Sequence, residues 1–315
     1  MYTKGMAGEN VGAWRGNEEL YRQFCAQVVG LTDTAKWVEW LDFQRKFHHY
    51  SSGNTMLISM QYPHASFVGS RRFWQARGRD ITEEGLKHPI KIWCPIEKTV
   101  KFDQDTLDAV DPAAEGPKLG KRALVGWILG KVYDKDQTFG AEIPIIVDPL
   151  QGEAPQGMFR RLQGQAEDLG FVVSLVPARV LGSANGECNV TAKTVKIRDD
   201  LEPAQQAKTL AHELAHGMMH GGVDGYRADR GLMELEAESV AYLVCHSLGL
   251  DTSDYSLGYV ASWASGGGRI GDEALIKRLK AQARRVQTTS SQIIKQLEKS
   301  IALSPTLDDE PEIAI

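Results

Sequence analysis

The sequence predicts an α+β protein in two domains, and three observations carry that prediction. Helical periodicity and β-rich runs occur in both halves of the chain rather than in separate blocks. IVDPLQGEAPQG (146–157), with two prolines and two glycines, reads as a linker between the halves. The 315 residues suffice for two ordinary domains of roughly 100–200 residues each. The expected division is 1–150 and 151–303, followed by an acidic, proline-interrupted tail at 304–315 that reads as disordered.

Residues 17–47 read as two helices. Leu20, Phe24, Val28 and Val29 recur at helical spacing, as do Trp37, Trp40, Leu41, Phe43 and Phe47. Thr32-Asp33-Thr34 supplies a cap between them. TMLISMQ is a short apolar helix stopped at Tyr62-Pro63. PIKIWCPIEKTVKF, rich in β-branched and aromatic residues, reads as strand or hairpin with prolines at its margins. Gln104 to Arg122 is polar and reads as a long loop or insertion, after which LVGWILGKVYD resumes a strand. In the second half MFRRLQGQAEDLG is helical and ends on Gly170, and FVVSLVPA and NVTAKTVKIRDD are strands. Helices over 202–220, 232–248 and 271–300 complete the pattern.

Composition excludes several classes. Apolar residues at 42% and charged residues at 24% are ordinary for a globular chain. A net charge of −5 argues against a wholly basic nucleic-acid coat but leaves room for one basic face. Cys25, Cys94, Cys188 and Cys245 lie far apart with no CxxC pair, which rules out a zinc ribbon and disfavours a disulfide framework. With no signal-peptide core and no apolar run near ~18 residues, the expectation is a cytoplasmic protein with no membrane partner.

The second half carries the chemistry. KTLAHELAHGMMH contains His212-Glu213-Leu214-Ala215-His216. On a helix, positions i and i+4 share a face, so both imidazoles reach one zinc ion while Glu213 stands beside them as general base. A site of this class needs a third protein ligand and keeps its fourth position for water. Glu234-Leu235-Glu236-Ala237-Glu238 supplies candidates. Glu234 with Glu238 four residues on meets the gluzincin spacing, in which the second acid orients a ligating histidine. Glu236 points about 200° away around the helix and is the alternative ligand. His220 reads as a helix-end histidine beside the negative end of the dipole, and His246 as structural. Tyr226, Tyr255 and Tyr259 are candidate oxyanion donors.

KTLAHELAHGMMH followed by ELEAESVAYLV resembles the zincin-like metallopeptidases of the IrrE/ImmA group and of ArdC-type antirestriction proteins. NVTAKTVKIRDDLEPAQQAKTL resembles the edge strand that lies beside the cleft in those enzymes and pairs with an extended peptide. The resemblance implies a zincin-like second domain that hydrolyses an as yet unnamed protein with zinc as cofactor.

The first domain concentrates arginines and rings. Arg71, Arg72, Arg77 and Arg79 surround Phe73 and Trp74, with Arg45 and Lys46 upstream. Such interleaving suits single-strand binding, where rings stack on bases and cations meet phosphates, and it equally suits a solvated face over a small core holding Trp74. YSSGNTMLISMQYPHASFVGSRRFWQARGR, from Asn54 to Gly78-Arg79, and GKVYDKDQTFG (130–140) resemble the N-terminal single-stranded-DNA-binding domain of the ArdC family. That implies single-stranded DNA as a partner, with Arg45, Lys46, Asn54, Arg71, Arg72, Trp74, Arg77 and Arg79 as contacts, and antirestriction or DNA protection on a mobile element as the role. Two alternatives stand beside it. One is a non-proteolytic protein that coats DNA, with a structural metal. The other is an IrrE-like protease that cleaves a repressor.

Overall fold

The computed structural model describes residues 17–47, 49–100, 121–142, 155–221, 230–250 and 271–303. It divides into two compact units: residues up to Phe24 with Leu57–Ala141, and Cys25–Met56 with the chain from Glu142 onward. Sequence order assigns residues 25–56 to the first domain, whereas their packing assigns them to the second.

The reason lies in the second helix. After α1 (Glu18–Gly30) the chain turns, and Asp33 accepts the Ala35 N–H at 2.8 Å to start α2 (Thr34–Lys46). One face of α2 buries Trp37, Trp40, Leu41 and Phe43. Trp37 donates its Nε1–H to Ser239 at 3.0 Å, and Tyr242 donates to Asp42 at 2.7 Å. Burying an aromatic stripe of this size contributes roughly 1.5–3 kcal/mol per large side chain, ample to dock a helix across a long sequence gap.

The first unit is built from short elements around one long hairpin. They follow α3 (Ser52–Gln61) in the order β1 (Val68–Gly69), α4 (Arg71–Gln75), β2 (Arg79–Ile81), α5 (Glu83–Lys87), β3 (Ile90–Val100), β4 (Lys121–Asp134) and β5 (Thr138–Gly140). β3 and β4 pair antiparallel from Ile90↔Val132 to Val100↔Lys121, with an irregularity at Ile96/Glu97. The sheet order is β1-β4-β3, and β2 pairs separately with β5. Asp134, fully buried, accepts the N–H groups of Ser66 at 2.7 Å and Phe67 at 3.0 Å, which fastens the approach to β1. β4 is already strand at Lys121, so Lys121 and Arg122 are strand rather than loop; residues 104–120 of that expected loop lie outside the described residues.

The second unit opens on α6 (Pro155–Asp168). Residues 155–157, expected as linker, are thus its first turn, with proline where its missing N–H is harmless. The rest of the linker and the tail at 304–315 lie outside the described residues. β6 (Val172–Val176), α7 (Ala178–Leu181), β7 (Gly186–Asn189) and β8 (Thr194–Arg198) follow, then α8 (Pro203–Met219), α9 (Arg230–Ser247) and α10 (Asp272–Leu303). The sheet order is β6-β8-β7, with β6 and β8 parallel and β7 antiparallel to β8. NVTAKTVKIRDD is therefore not one strand. Asn189 accepts the Ala192 N–H at 2.8 Å and Lys193 takes φ 53°, which turns the chain between β7 and β8.

Candidate metal centre

The apolar positions of α8 decide where its histidines point. Leu210, Ala211, Leu214 and Ala215 are fully buried, and this leaves His212 and His216 to share the remaining face, ring centroids 4.7 Å apart. α9 is anchored likewise by Ala237, Val240, Ala241 and Val244, all fully buried, and this turns Glu234 toward the histidines.

Three ligand atoms converge. His212 Nε2 lies 3.1 Å from His216 Nε2, and Glu234 Oε2 lies 3.4 Å and 3.6 Å from those two nitrogens. A tetrahedral ion with bonds of about 2.0–2.1 Å sets its ligand atoms about 3.3–3.4 Å apart, so the triad fits a zinc-sized divalent ion. Among the described residues, this is the one group of His, Cys, Asp and Glu that could hold a metal. With Nε2 turned inward, His212 uses Nδ1 to meet Glu238 Oε2 at 2.9 Å. Such a carboxylate partner sets the ring and its tautomer.

The charges of the triad and its neighbours act on one another. Burial opposes charge on His212, but hydrogen bonds to Glu234 and Glu238 and the charge of Glu213 outweigh it, and its pKa is pushed up to about 9. Hydrogen bonds from His212 and His216 hold Glu234 far below the usual carboxylate range. Burial raises Glu213, against the pull of His212 and His216.

Glu213 stands outside the triad, where a base belongs. It accepts the backbone N–H of Cys188 on β7. A Cβ at Gly186 would stand 2.8 Å from both Glu213 Cγ and Oε1, so a glycine is what lets β7 come this close. Burial and then the charge of Glu213 push the Cys188 thiol up to about 12. An open cleft of about 1070 Å³ is lined by Gly186, Cys188 and Asn189 on β7 and by His212, Glu213 and Glu234. Among the described residues, the edge strand beside the cleft is therefore β7; β8, expected as the edge strand, lies in the middle of its sheet. Neither Gly186 nor the Cys188 N–H was evident in the sequence, although Gly186 opening a short β run was the available signal.

Glu236 and His220 stand outside the triad. Glu236, the alternative ligand, is 2% exposed and meets His220 Nε2 at 2.9 Å. His220 does end α8 as expected, but it is buried between two partners rather than exposed at a helix end. His246 contacts Arg45, which fits a structural role. Tyr226, Tyr255 and Tyr259 lie outside the described residues.

The expected DNA contacts scatter. Trp74 is fully buried, donates Nε1–H to Tyr133 O at 2.9 Å, and has Phe67 and Phe73 edge-on, so it is core and not a stacking platform. Arg45, Lys46 and Asn54 belong to the second unit, with Asn54 buried and Arg45 held by His246. In the first unit Arg79 braces β2 to β5, donating to Thr138 Oγ1 at 2.8 Å and to Thr138 O at 3.0 Å. Gly78, at φ 70°, supplies the turn that brings Arg79 there. Arg71 pairs with Asp80 at 3.2 Å, Arg77 lies over the Phe73 ring at 3.7 Å, and Arg72 is exposed.

Comparison with known proteins finds likenesses in sequence and in fold. The model of the IrrE N-terminal-like domain matches residues 175–245, which hold β7, β8, α8 and the acidic turns of α9. An uncharacterized protein of Bacillus anthracis is 23% identical over 306 residues, 86% of this chain and 50% of that protein. The chain thus spans about half the length of the curated relative it matches. Two crystal structures of the antirestriction ArdC protein from the R388 plasmid are similar. The metal-free form has 17% identity and a TM-score of 0.47 over 80% of this chain and 85% of that one. The Mn(II)-bound form has 16% identity and a TM-score of 0.53 over 91% and 99%. Residues 175–245 thus match the IrrE N-terminal-like domain, and the fold of the chain is similar to that of the Mn(II)-bound ArdC protein.

Proposed function

We propose that this chain is a zinc metallopeptidase whose first unit binds single-stranded DNA, acting in antirestriction. The observation that carries the peptidase reading is the triad of His212, His216 and Glu234 at tetrahedral spacing, with a second acid, Glu213, buried beside it and not among the three. A purely structural metal would leave Glu213 without a task. When bound, zinc would acidify a water and polarise a scissile carbonyl. Glu213 takes the proton and carries it to the leaving amine, and its raised pKa suits both halves of that transfer. β7 offers an edge on which an extended polypeptide would align, so the substrate class is protein.

The DNA reading leans on the ArdC fold and on Arg71, Arg72 and Arg77, which are exposed. With Trp74 in the core, Phe139, 60% exposed on β5, offers a ring to a base. The test is identification of new N-termini in a protein mixture treated with the zinc-loaded chain, with and without single-stranded DNA. Cleavage that needs zinc supports the peptidase, and cleavage that rises with DNA supports coupling. No zinc-dependent product under either condition would overturn the peptidase reading.

Metal uptake is expected to depend on pH with a defined sign. His212, at about 9 in the metal-free site, is protonated at neutral pH and must lose that proton to become a ligand. Glu234 is already ionised and releases none. Zinc binding at pH 7 should therefore release about one proton from His212, whose share of the affinity rises about tenfold per pH unit and levels off near its own pKa. Calorimetry in buffers of different ionisation enthalpy measures the release. Uptake without proton release at pH 7 would mean that His212 is already neutral before the metal binds.

A further inference from the structure

His220 ends α8 with its side chain 2% exposed, and both its nitrogens are engaged. Its Nδ1 lies 2.9 Å from His216 Nδ1, and its Nε2 lies 2.9 Å from Glu236 Oε2 on α9. Glu236 Oε1 in turn lies 2.8 Å from Arg285 Nε on α10, in charge contact though not aligned as a hydrogen bond. Arg285 Nη2 donates to Met219 O at 3.0 Å, returning the chain of contacts to the last turn of α8. Three helices are joined in one closed circuit behind a single imidazole.

With a metal held on His216 Nε2, which faces His212 and Glu234, the remaining proton of a neutral His216 ring would sit on Nδ1. That N–H donates to His220 Nδ1, which must accept. The His220 proton is then on Nε2, where the Glu236 carboxylate accepts it. Burying that carboxylate is costly unless it is compensated, and Arg285 supplies the opposing charge. His212 receives its carboxylate directly from Glu238. His216 receives one at a remove, through a second imidazole.

We propose that His220, Glu236 and Arg285 form a positioning relay that fixes the ring and tautomer of His216 for its metal. The relay rests on the metal-centre reading, and none of its members touches the reacting atoms. Carboxylate partners behind ligating histidines typically account for roughly 10–100-fold in metal affinity. His220→Leu should therefore weaken zinc binding by about that factor, and His220→Asn, whose amide oxygen stands where Nδ1 does, should recover part of it. Glu236→Gln should lie between them.

The test uses the full-length chain, zinc ion in competition with a chelator, and proton–nitrogen correlation spectra of the imidazoles. In the wild type His216 should show its proton on Nδ1 and His220 on Nε2, and His220→Leu should lose the single His216 tautomer. A thermal melt of each variant separates loss of fold from loss of relay. Should His220→Leu unfold, the tautomers of the wild type and the His220→Asn affinity decide. A wild type that takes up no zinc refutes the metal centre itself. A wild type that binds zinc with His216 protonated on Nε2, or folded variants with unchanged affinity, overturns the relay alone.

Discussion

Glu213→Gln is expected to leave the fold and the zinc in place while lowering peptide hydrolysis by roughly 10²–10⁴-fold. That corresponds to about 3–5 kcal/mol of lost transition-state stabilisation. The substitution keeps the shape of the side chain and can still accept the Cys188 N–H that holds the native carboxylate. It removes only the capacity to take a proton. His212, His216 and Glu234 converge without Glu213, so metal content should match the wild type. Metal analysis and turnover on one identified substrate, run in parallel, check both halves. Lost zinc would make Glu213 a ligand, and an unchanged rate would place the base elsewhere.

Trp37→Ala should destabilise the second unit by roughly 3–5 kcal/mol, the range for removing a large buried ring. Trp37 is fully buried, packs at 5.0 Å from the Trp40 ring, and donates to Ser239, itself fully buried. Ser239 follows Glu238 on α9, the helix that also carries Glu234. Loosening α2 should therefore weaken zinc binding as well as stability, although residue 37 lies far outside the matched segment at 175–245. Trp37→Phe is the milder control: it keeps a ring and loses the bond to Ser239, worth about 1 kcal/mol. Urea denaturation followed by circular dichroism measures both. Wild-type stability in Trp37→Ala would mean that α2 is not part of the structural support of the site.

The site was legible where local geometry alone decides it. His212 and His216 at i and i+4, and Glu234 and Glu238 at the same interval, share a face on any helix, so their grouping follows from spacing. His220 was placed at its helix end, but its partner Glu236 comes from another helix and Arg285 from a third, contacts that periodicity does not encode. β7 was missed because four residues next to a turn carry too little alternation to register as a strand, and its partner β8 absorbed the whole signal. Trp74 marks a different limit. Arginines and rings in one stretch reveal a concentration of chemistry, not which ring turns inward, and the bond from its indole to Tyr133 settles that only in three dimensions. Residues 25–56 were assigned by their order in the chain, whereas α2 found its partner across 202 positions.

That long-range pairing has a consequence during synthesis. Trp37 emerges from the ribosome 202 residues before Ser239, so at ~5–20 residues per second the aromatic stripe of α2 waits about 10–40 s for the helix that covers it. Meanwhile the whole of Leu57–Ala141 is made and is free to fold. A nascent chain stalled before α9 would leave Trp37, Trp40, Leu41 and Phe43 uncovered, an invitation to chaperones and to aggregation alike. A helix made before Leu57–Ala141 thus finds its cover only after that stretch is complete.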